Sequence, residues 1–224
     1  MVADPGTIPV EQKDSVEFKL YVLSDPGDIK TDPQTLRLPD MKLDASKLLV
    51  DYRAWIGGPC TLLNMTTGDP AYADIDKFCQ AIKAAQHAVA TTQSLEIKAR
   101  LYDMLGLGQI ILGNIPESAT NLMKAAQTWG ALDRVWQVSV SLHNLAVAAS
   151  WGDDQKTATV LLMQVQELYA QVKDEPGQMI TWANLGHLSN NSAMLKEAHQ
   201  YFTRNELPQS AVTAIWLSQI KEQP

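Results

Sequence analysis

The chain has 224 residues and a net charge of −7, with 46% apolar and 19% charged residues. These values are typical of a globular protein that buries roughly 70% of the surface its unfolded chain exposes. The acidic balance argues against a polyphosphate partner, so no nucleic acid is expected. No apolar run approaches the roughly 18 residues of a membrane span, and residues 1–8 lack the basic and apolar regions of a signal peptide. We therefore expect a cytoplasmic protein without a membrane span.

Seven of the eleven prolines lie between Met1 and Pro70, and proline removes a backbone donor and excludes long helices. Alternating apolar residues at Val16, Phe18, Leu20 and Val22 are typical of a half-buried strand. A turn signal and a weaker alternation follow. We predict that residues 1–44 form a proline-rich extended segment that can close into a β-hairpin. Because two strands alone are marginal in water, this segment should lean on the helical body or pair with another copy.

From about Asp44 the apolar spacing becomes helical, and after that residue no strand-like alternation competes with it. One helical face is formed by Leu48, Leu49, Tyr52, Trp55 and Ile56. A second helix is predicted over 72–90, so residues 45–94 are interpreted as a degenerate first helical pair. Residues 208–224 are predicted as a single capping helix, with Leu207, Ala211, Ile215 and Trp216 toward the last pair and Gln209 outside.

An internal repeat with a period of about 40 residues runs through the second half of the chain. The same spacing of large and small residues occurs in three sets, which are Tyr102, Leu105, Gly106, Ser118, Leu122 and Ala125; Leu142, Leu145, Ala146, Ala158, Leu162 and Val165; and Trp182, Leu185, Gly186, Ala198, Phe202 and Asn205. Repetition at a fixed interval predicts stacked supersecondary units. Small residues at matching positions let two helices approach, and the large residues fill the space beside them.

This pattern resembles the tetratricopeptide repeat, and the third copy from Trp182 to Gly186 matches it best. The unit here is longer than the usual unit of about 34 residues, and it looks like the variant found in kinesin light chain and in the Leu-Gly-Asn-repeat spindle proteins. The resemblance implies an all-α fold, a right-handed superhelix of helix-turn-helix repeats. It assigns residues 95–207 to three repeats of helical pairs.

In this family the first helix of each pair lines a concave face that receives an extended peptide or a partner helix. The resemblance therefore implies binding residues on three successive helices. These are Asp103, Leu107 and Ile110; Val140, His143, Asn144, Val147 and Trp151; and Ile180, Asn184, His187 and Asn191. Peptide-binding members use asparagine at the places of Asn144 and Asn184 to hydrogen-bond a peptide backbone, although an asparagine there can equally bond a neighbouring helix. Met104 occupies the matching place in the first repeat.

The basic residues with which chaperone-binding members grip a terminal carboxylate are missing from the matching places, so no such carboxylate clamp is expected. Trp151 can form part of an apolar floor for a ligand or pack locally beside Gly152. Asp103 and His143 occupy equivalent places on neighbouring helices, where a structural ion pair is favoured over an acid–base pair.

No motif for catalysis, phosphate binding or a cofactor is present. Cys60 and Cys79 lack the companion ligands of a zinc site. We therefore expect no enzyme activity, no cofactor and no metal.

By resemblance, the expected function is recognition of another protein through an extended peptide or helix, as an adaptor, assembly factor or regulator. The alternative is a structural, self-associating protein in which the N-terminal segment fills its own or a neighbour's groove, with homo-oligomers as a result. The first expectation requires an open concave face.

Overall fold

The computed structural model describes residues 45–51, 53, 75–207 and 209–221. Within these ranges the chain forms eight helices and no strand, which confirms the all-helical prediction for this part of the molecule. The helices are α1 (Ile75–Thr91), α2 (Leu95–Ile111), α3 (Ile115–Gly130), α4 (Val135–Trp151), α5 (Gln155–Gln171), α6 (Glu175–Leu188), α7 (Ser192–Arg204) and α8 (Gln209–Lys221). The extended segment and hairpin predicted over residues 1–44 lie outside the described residues.

The chain divides into two compact units. The described part of the first unit contains residue 53 and helices α1 to α3, with α1 packed on α2 and α2 on α3. The second unit contains residues 45–51 together with helices α4 to α8, and each of these helices packs on the next one along the chain. Sequential packing of neighbouring helices is the arrangement expected of a helical repeat.

The period of the sequence repeat is also the period of the helices. The first helices of the three pairs begin at Leu95, Val135 and Glu175, which are separated by the same interval as the repeated residues. The second helices of the first two pairs begin at Ile115 and Gln155, again at that interval. In the last pair the second helix starts early, because α6 has 14 residues where α2 and α4 have 17.

Helices α2 to α7 all end in the same way. A residue with positive φ follows each of them, and these residues are Gly113, Asp133, Asp153, Lys173, Asn190 and Glu206. The next N–H then donates to the carbonyl five residues earlier, as from Asn114 to Gln109 at 2.8 Å and from Asp174 to Tyr169 at 2.9 Å. This is the Schellman arrangement, which satisfies carbonyls that have no partner inside the helix. It turns the chain sharply after each helix.

Close helix approach in the first unit depends on Gly106 of α2. A Cβ atom at this position would lie 2.5 Å from Leu122 Cγ on α3, and the Ser118 hydroxyl donates to the Gly106 carbonyl at 2.8 Å. Leu122 is fully buried. The small-to-large pattern of the sequence therefore marks the contact between the two helices of this pair.

The core of the second unit is formed by side chains of α6, α7 and α8 together with Leu49. Its members are Leu49, Ile180, Ala183, Leu195, Ala198, Phe202, Val212 and Trp216. Helix α8 contributes Val212 and Trp216, which are one helical turn apart. The predicted register of this helix is partly wrong, because Ile215 is 43% exposed and Gln209 is buried. The face that packs on α7 is rotated from the predicted one so that Val212 replaces Ile215.

Candidate functional site

Residues 45–51 lie against the helices of the second unit and are not helical. The helix predicted from Asp44 is therefore wrong over these residues, whereas α1 (Ile75–Thr91) lies where the second helix of the pair is predicted, over 72–90. Residues 54–74 of the predicted pair lie outside the described ranges. Three consecutive apolar side chains, Leu48, Leu49 and Val50, are each at most 6% exposed, and Asp51 is fully buried. A helix would bury only part of such a run, whereas here every side chain is enclosed. We call residues 45–51 the bound segment.

Asn184 on α6 binds the main chain of the bound segment with both ends of its amide. The Leu49 N–H donates to Asn184 Oδ1 at 2.8 Å, and Asn184 Nδ2 donates to the Leu49 carbonyl at 2.9 Å. Asn184 is fully buried. An amide that both donates and accepts pairs with one residue of peptide backbone without reading its side chain.

Asn144 on α4 repeats this contact two residues further along the bound segment. The Asp51 N–H donates to Asn144 Oδ1 at 2.9 Å, and Asn144 Nδ2 donates to the Asp51 carbonyl at 3.0 Å. The two asparagines are one helical repeat apart, and the residues they bind are two positions apart in the bound segment. Alternate residues can present their main chain to one face only when the chain is extended. We call Asn144 and Asn184 the asparagine ladder.

His143, next to Asn144, joins the two rungs of the ladder. Its Nδ1 lies 3.2 Å from the Thr181 hydroxyl, and its Nε2 lies 3.1 Å from the Leu49 carbonyl and 3.2 Å from Asn184 Nδ2. Which of these groups donates is set by the ring tautomer. The histidine therefore contacts both the bound segment and the Asn184 amide.

Tyr169 on α5 contacts the bound segment from the second helix of the pair. Its hydroxyl donates to Asp51 Oδ2 at 2.7 Å, and both residues are fully buried. Tyr169 is absent from the residues predicted from the sequence, because the inner face was assigned to first helices alone. A signal that points to this residue is Gly177, where a Cβ atom would lie 2.6 Å from the Tyr169 ring.

The other end of the bound segment is fixed by α8. Trp216 Nε1 donates to the Ala45 carbonyl at 2.6 Å, and the Trp216 ring stacks on His187 with ring centroids 4.2 Å apart. Burial lowers the pKa of His187 from its ordinary value of 6.5, because an apolar environment disfavours the charged imidazolium. The sequence pattern predicts His187 on the inner face but does not identify Trp216 as a contact to main chain.

Trp151 lies at the end of α4 with the Lys47 ammonium 5.4 Å from its ring centroid. Its indole Nε1 is buried and has no hydrogen-bond partner among the residues that the structure describes. Lys47 of the bound segment is thus a cation–π partner of this ring.

Of the other predicted residues in the second unit, three are buried and one caps a helix. Val140 and Val147 are at most 1% exposed, and Ile180 belongs to the core with Leu49. Asn191 is exposed and caps α7 by accepting from the N–H groups of Ala193 and Met194.

The three predicted residues of the first unit are also buried. Asp103, Leu107 and Ile110 are between 2% and 4% exposed. The Asp103 carboxylate accepts from Trp129 Nε1 at 2.7 Å, which gives this buried charge a hydrogen-bond partner. All three side chains are therefore enclosed in the structure.

Among the described residues no helix is long and apolar enough to cross a membrane. In the same ranges no group of three or more potential ligands is placed to hold a metal ion. Comparisons with protein-family models, with curated proteins and with solved structures find no match to this chain.

Proposed function

We propose that the protein is a non-catalytic protein-interaction module whose second unit recognises an extended peptide by its main chain. The observation that carries this proposal is the asparagine ladder, in which Asn144 and Asn184 each make two hydrogen bonds to one residue of an extended chain. Buried side-chain amides normally bond to nearby helix backbone or water. Here the two amides are committed to a segment that is 93 and 135 residues away in sequence.

In the structure the asparagine ladder is occupied by the protein's own bound segment, so the open face that the recognition expectation requires is not open in the second unit. We infer that residues 45–51 are a resident ligand, and that a peptide from a partner protein binds by taking their place. The resemblance of the repeat to tetratricopeptide proteins, and the asparagines at the matching places, support this proposal. The ladder itself reads only backbone, so it accepts any sequence that is extended and has free N–H groups at alternate positions.

A structural role for the bound segment is the second candidate. Leu49 is part of the core of the second unit and only 4% exposed, and full burial of a leucine side chain contributes about 1.5–3 kcal/mol. In this account the segment is a permanent strap, or it is exchanged between two copies so that each copy completes the other.

A binding experiment separates the two candidates. A fluorescent peptide with the sequence of residues 43–53 is titrated against the full-length protein and against its Leu49→Pro variant. Proline removes the N–H that donates to Asn184, so it weakens the resident ligand and leaves the receptor face unchanged. We expect the peptide to bind wild type measurably by displacing the resident segment, and to bind the variant at least about tenfold more tightly. A permanent strap would allow binding to the variant alone. The same peptide with proline at position 49 should bind neither protein.

Circular dichroism and light scattering serve as controls for folding and molar mass. Should Leu49→Pro fail to fold, Leu48→Ala weakens the segment through lost burial alone, because Leu48 is 4% exposed. Absence of binding to a folded variant would refute the recognition proposal and favour the strap. A wild-type dimer that Leu49→Pro converts to monomer would favour exchange between copies.

A further inference from the structure

The bound segment carries one charged group into the interior of the second unit, the carboxylate of Asp51. This residue is fully buried, and its Oδ2 accepts from the Tyr169 hydroxyl at 2.7 Å. Its own N–H and carbonyl are paired with Asn144. The asparagine ladder therefore fixes the main chain of this residue, and the tyrosine contacts its side chain.

The position of Tyr169 is itself built into the helices. Tyr169 lies in the last turn of α5, outside the first helices, and its ring is fully buried. The ring fits because Gly177 of α6 has no side chain, since a Cβ atom there would lie 2.6 Å from Cδ1 and 2.7 Å from Cε1. A tilted contact with His143, at 6.2 Å between centroids, bounds the ring on another side. The hydroxyl is held at one place beside the segment.

A buried carboxylate is unfavourable unless it is hydrogen-bonded. A hydrogen bond to an ionised acceptor is roughly twice as strong as a neutral one. A site built around such a bond favours a ligand that carries the charged group over one that lacks it, because only the first makes the bond. The backbone contacts of the ladder cannot supply this discrimination.

We propose that Tyr169 is a specificity-determining residue, and that the partner peptide carries an aspartate two positions after a buried aliphatic residue, as Leu49 and Asp51 are spaced in the bound segment. This inference rests on the proposed function and names the chemistry of its ligand, an extended aliphatic-x-Asp peptide. The ladder holds the peptide, and Tyr169 selects it.

The test compares peptides of residues 43–53 that carry Asp, Ala or Lys at position 51, titrated against full-length Leu49→Pro protein by fluorescence polarisation. We expect the Ala peptide to bind at least about tenfold more weakly than the Asp peptide, the factor that one hydrogen bond to a charged group contributes. The Lys peptide should not bind. When Tyr169→Phe is added to the Leu49→Pro protein, the ratio of the affinities for the Asp and Ala peptides should fall to within about threefold.

Tyr201→Phe is the matched control, because the Tyr201 ring packs edge-to-face on Phe202 of α7 and lies 5.8 Å from the Arg204 guanidinium. It should leave the Asp-to-Ala ratio unchanged. If no peptide binds a folded receptor, the proposed function fails. If all three bind equally, or if Tyr169→Phe leaves the ratio as it was, the function stands and the inference is overturned.

A measurement within one chain covers the case in which Leu49→Pro does not fold. Asp51→Ala and Tyr169→Phe are made singly and together in the full-length protein, and the urea midpoints are compared. We expect the double variant to lose clearly less than the sum of the two single losses, because both remove the same bond. Additive losses would overturn the inference.

Discussion

Replacing Asn184 with alanine removes one rung of the asparagine ladder. The side-chain amide makes two hydrogen bonds to Leu49, at 2.8 and 2.9 Å. Each such bond contributes about 0.5–1.5 kcal/mol net, and a buried N–H left without a partner costs a further 1–3 kcal/mol or so. We therefore expect Asn184→Ala to lower the free energy of unfolding of the second unit by about 2–6 kcal/mol.

Urea unfolding followed by circular dichroism measures this loss, and amide hydrogen exchange locates it. Since about 1.4 kcal/mol corresponds to a factor of ten, exchange at the Leu49 N–H should accelerate by about 30-fold or more. Asn205→Ala is the control, because Asn205 is exposed and bonds only its own helix, at the Tyr201 carbonyl. It should change stability by no more than about 0.5 kcal/mol. Equal effects of the two substitutions would refute the assignment of Asn184 to backbone binding.

Three further substitutions test the fold and its pH dependence. Gly106→Ala places a Cβ atom 2.5 Å from Leu122 Cγ. Thermal unfolding should therefore show that the free energy of unfolding of the first unit falls by about 1–3 kcal/mol. An unchanged melting temperature would contradict the close approach of the two helices. Asp154 caps α5, and hydrogen bonds from Thr157 lower the pKa of its carboxyl below 3.8; its contribution is present above pH 3.8 and is lost as pH falls through the lowered pKa, so Asp154→Ala should be less stable than wild type at pH 7 and equal to it near pH 2. Burial lowers the pKa of His187, so the unfolded state takes up a proton at a higher pH than the folded state. The stability that depends on neutral His187 is therefore fully present above pH 6.5 and is lost as the pH falls through the lowered pKa. We expect His187→Gln to show a smaller drop in urea midpoint between pH 7.5 and pH 5.5, and an identical drop would show that His187 does not titrate in this range.

The helical body could be predicted from sequence because its signal is local and repeated. Small residues such as Gly106 recur where two helices must approach, and a fixed period in three copies is a strong pattern. The equivalence of Asn144 and Asn184 followed from that period, and their assignment to a binding face followed from the resemblance to the tetratricopeptide repeat. Their partner did not, because the segment they bind is 93 and 135 residues away.

The bound segment has the sequence pattern of a helix for a physical reason. Leu48 and Leu49 fit the helical spacing that continues to Tyr52, Trp55 and Ile56, and together with Val50 they also fit a fully buried extended chain. What decides between them is where the main-chain groups find partners, and here side chains of other helices provide those partners. The register of α8 failed similarly, because Val212 and Ile215 are both apolar and only packing on α7 selects Val212.

Tyr169 could not be assigned from a rule that places ligand contacts on first helices only. Its role depends on one missing Cβ atom at Gly177 on the next helix. A glycine in the first turn of a helix carries several meanings in a sequence, and its meaning here emerges only when the tyrosine ring is seen beside it.

The most direct test of the central claim is the proximity of the bound segment to the asparagine ladder in solution. Nuclear Overhauser spectra of isotope-labelled full-length protein should show contacts between the Leu49 amide proton and the Asn184 side-chain amide, and between the Asp51 amide proton and that of Asn144. Addition of excess unlabelled peptide of residues 43–53 should weaken both sets together, as the resident ligand is displaced. Absence of these contacts, with the Leu49 and Asp51 amides exchanging as fast as in the free peptide, would contradict the account.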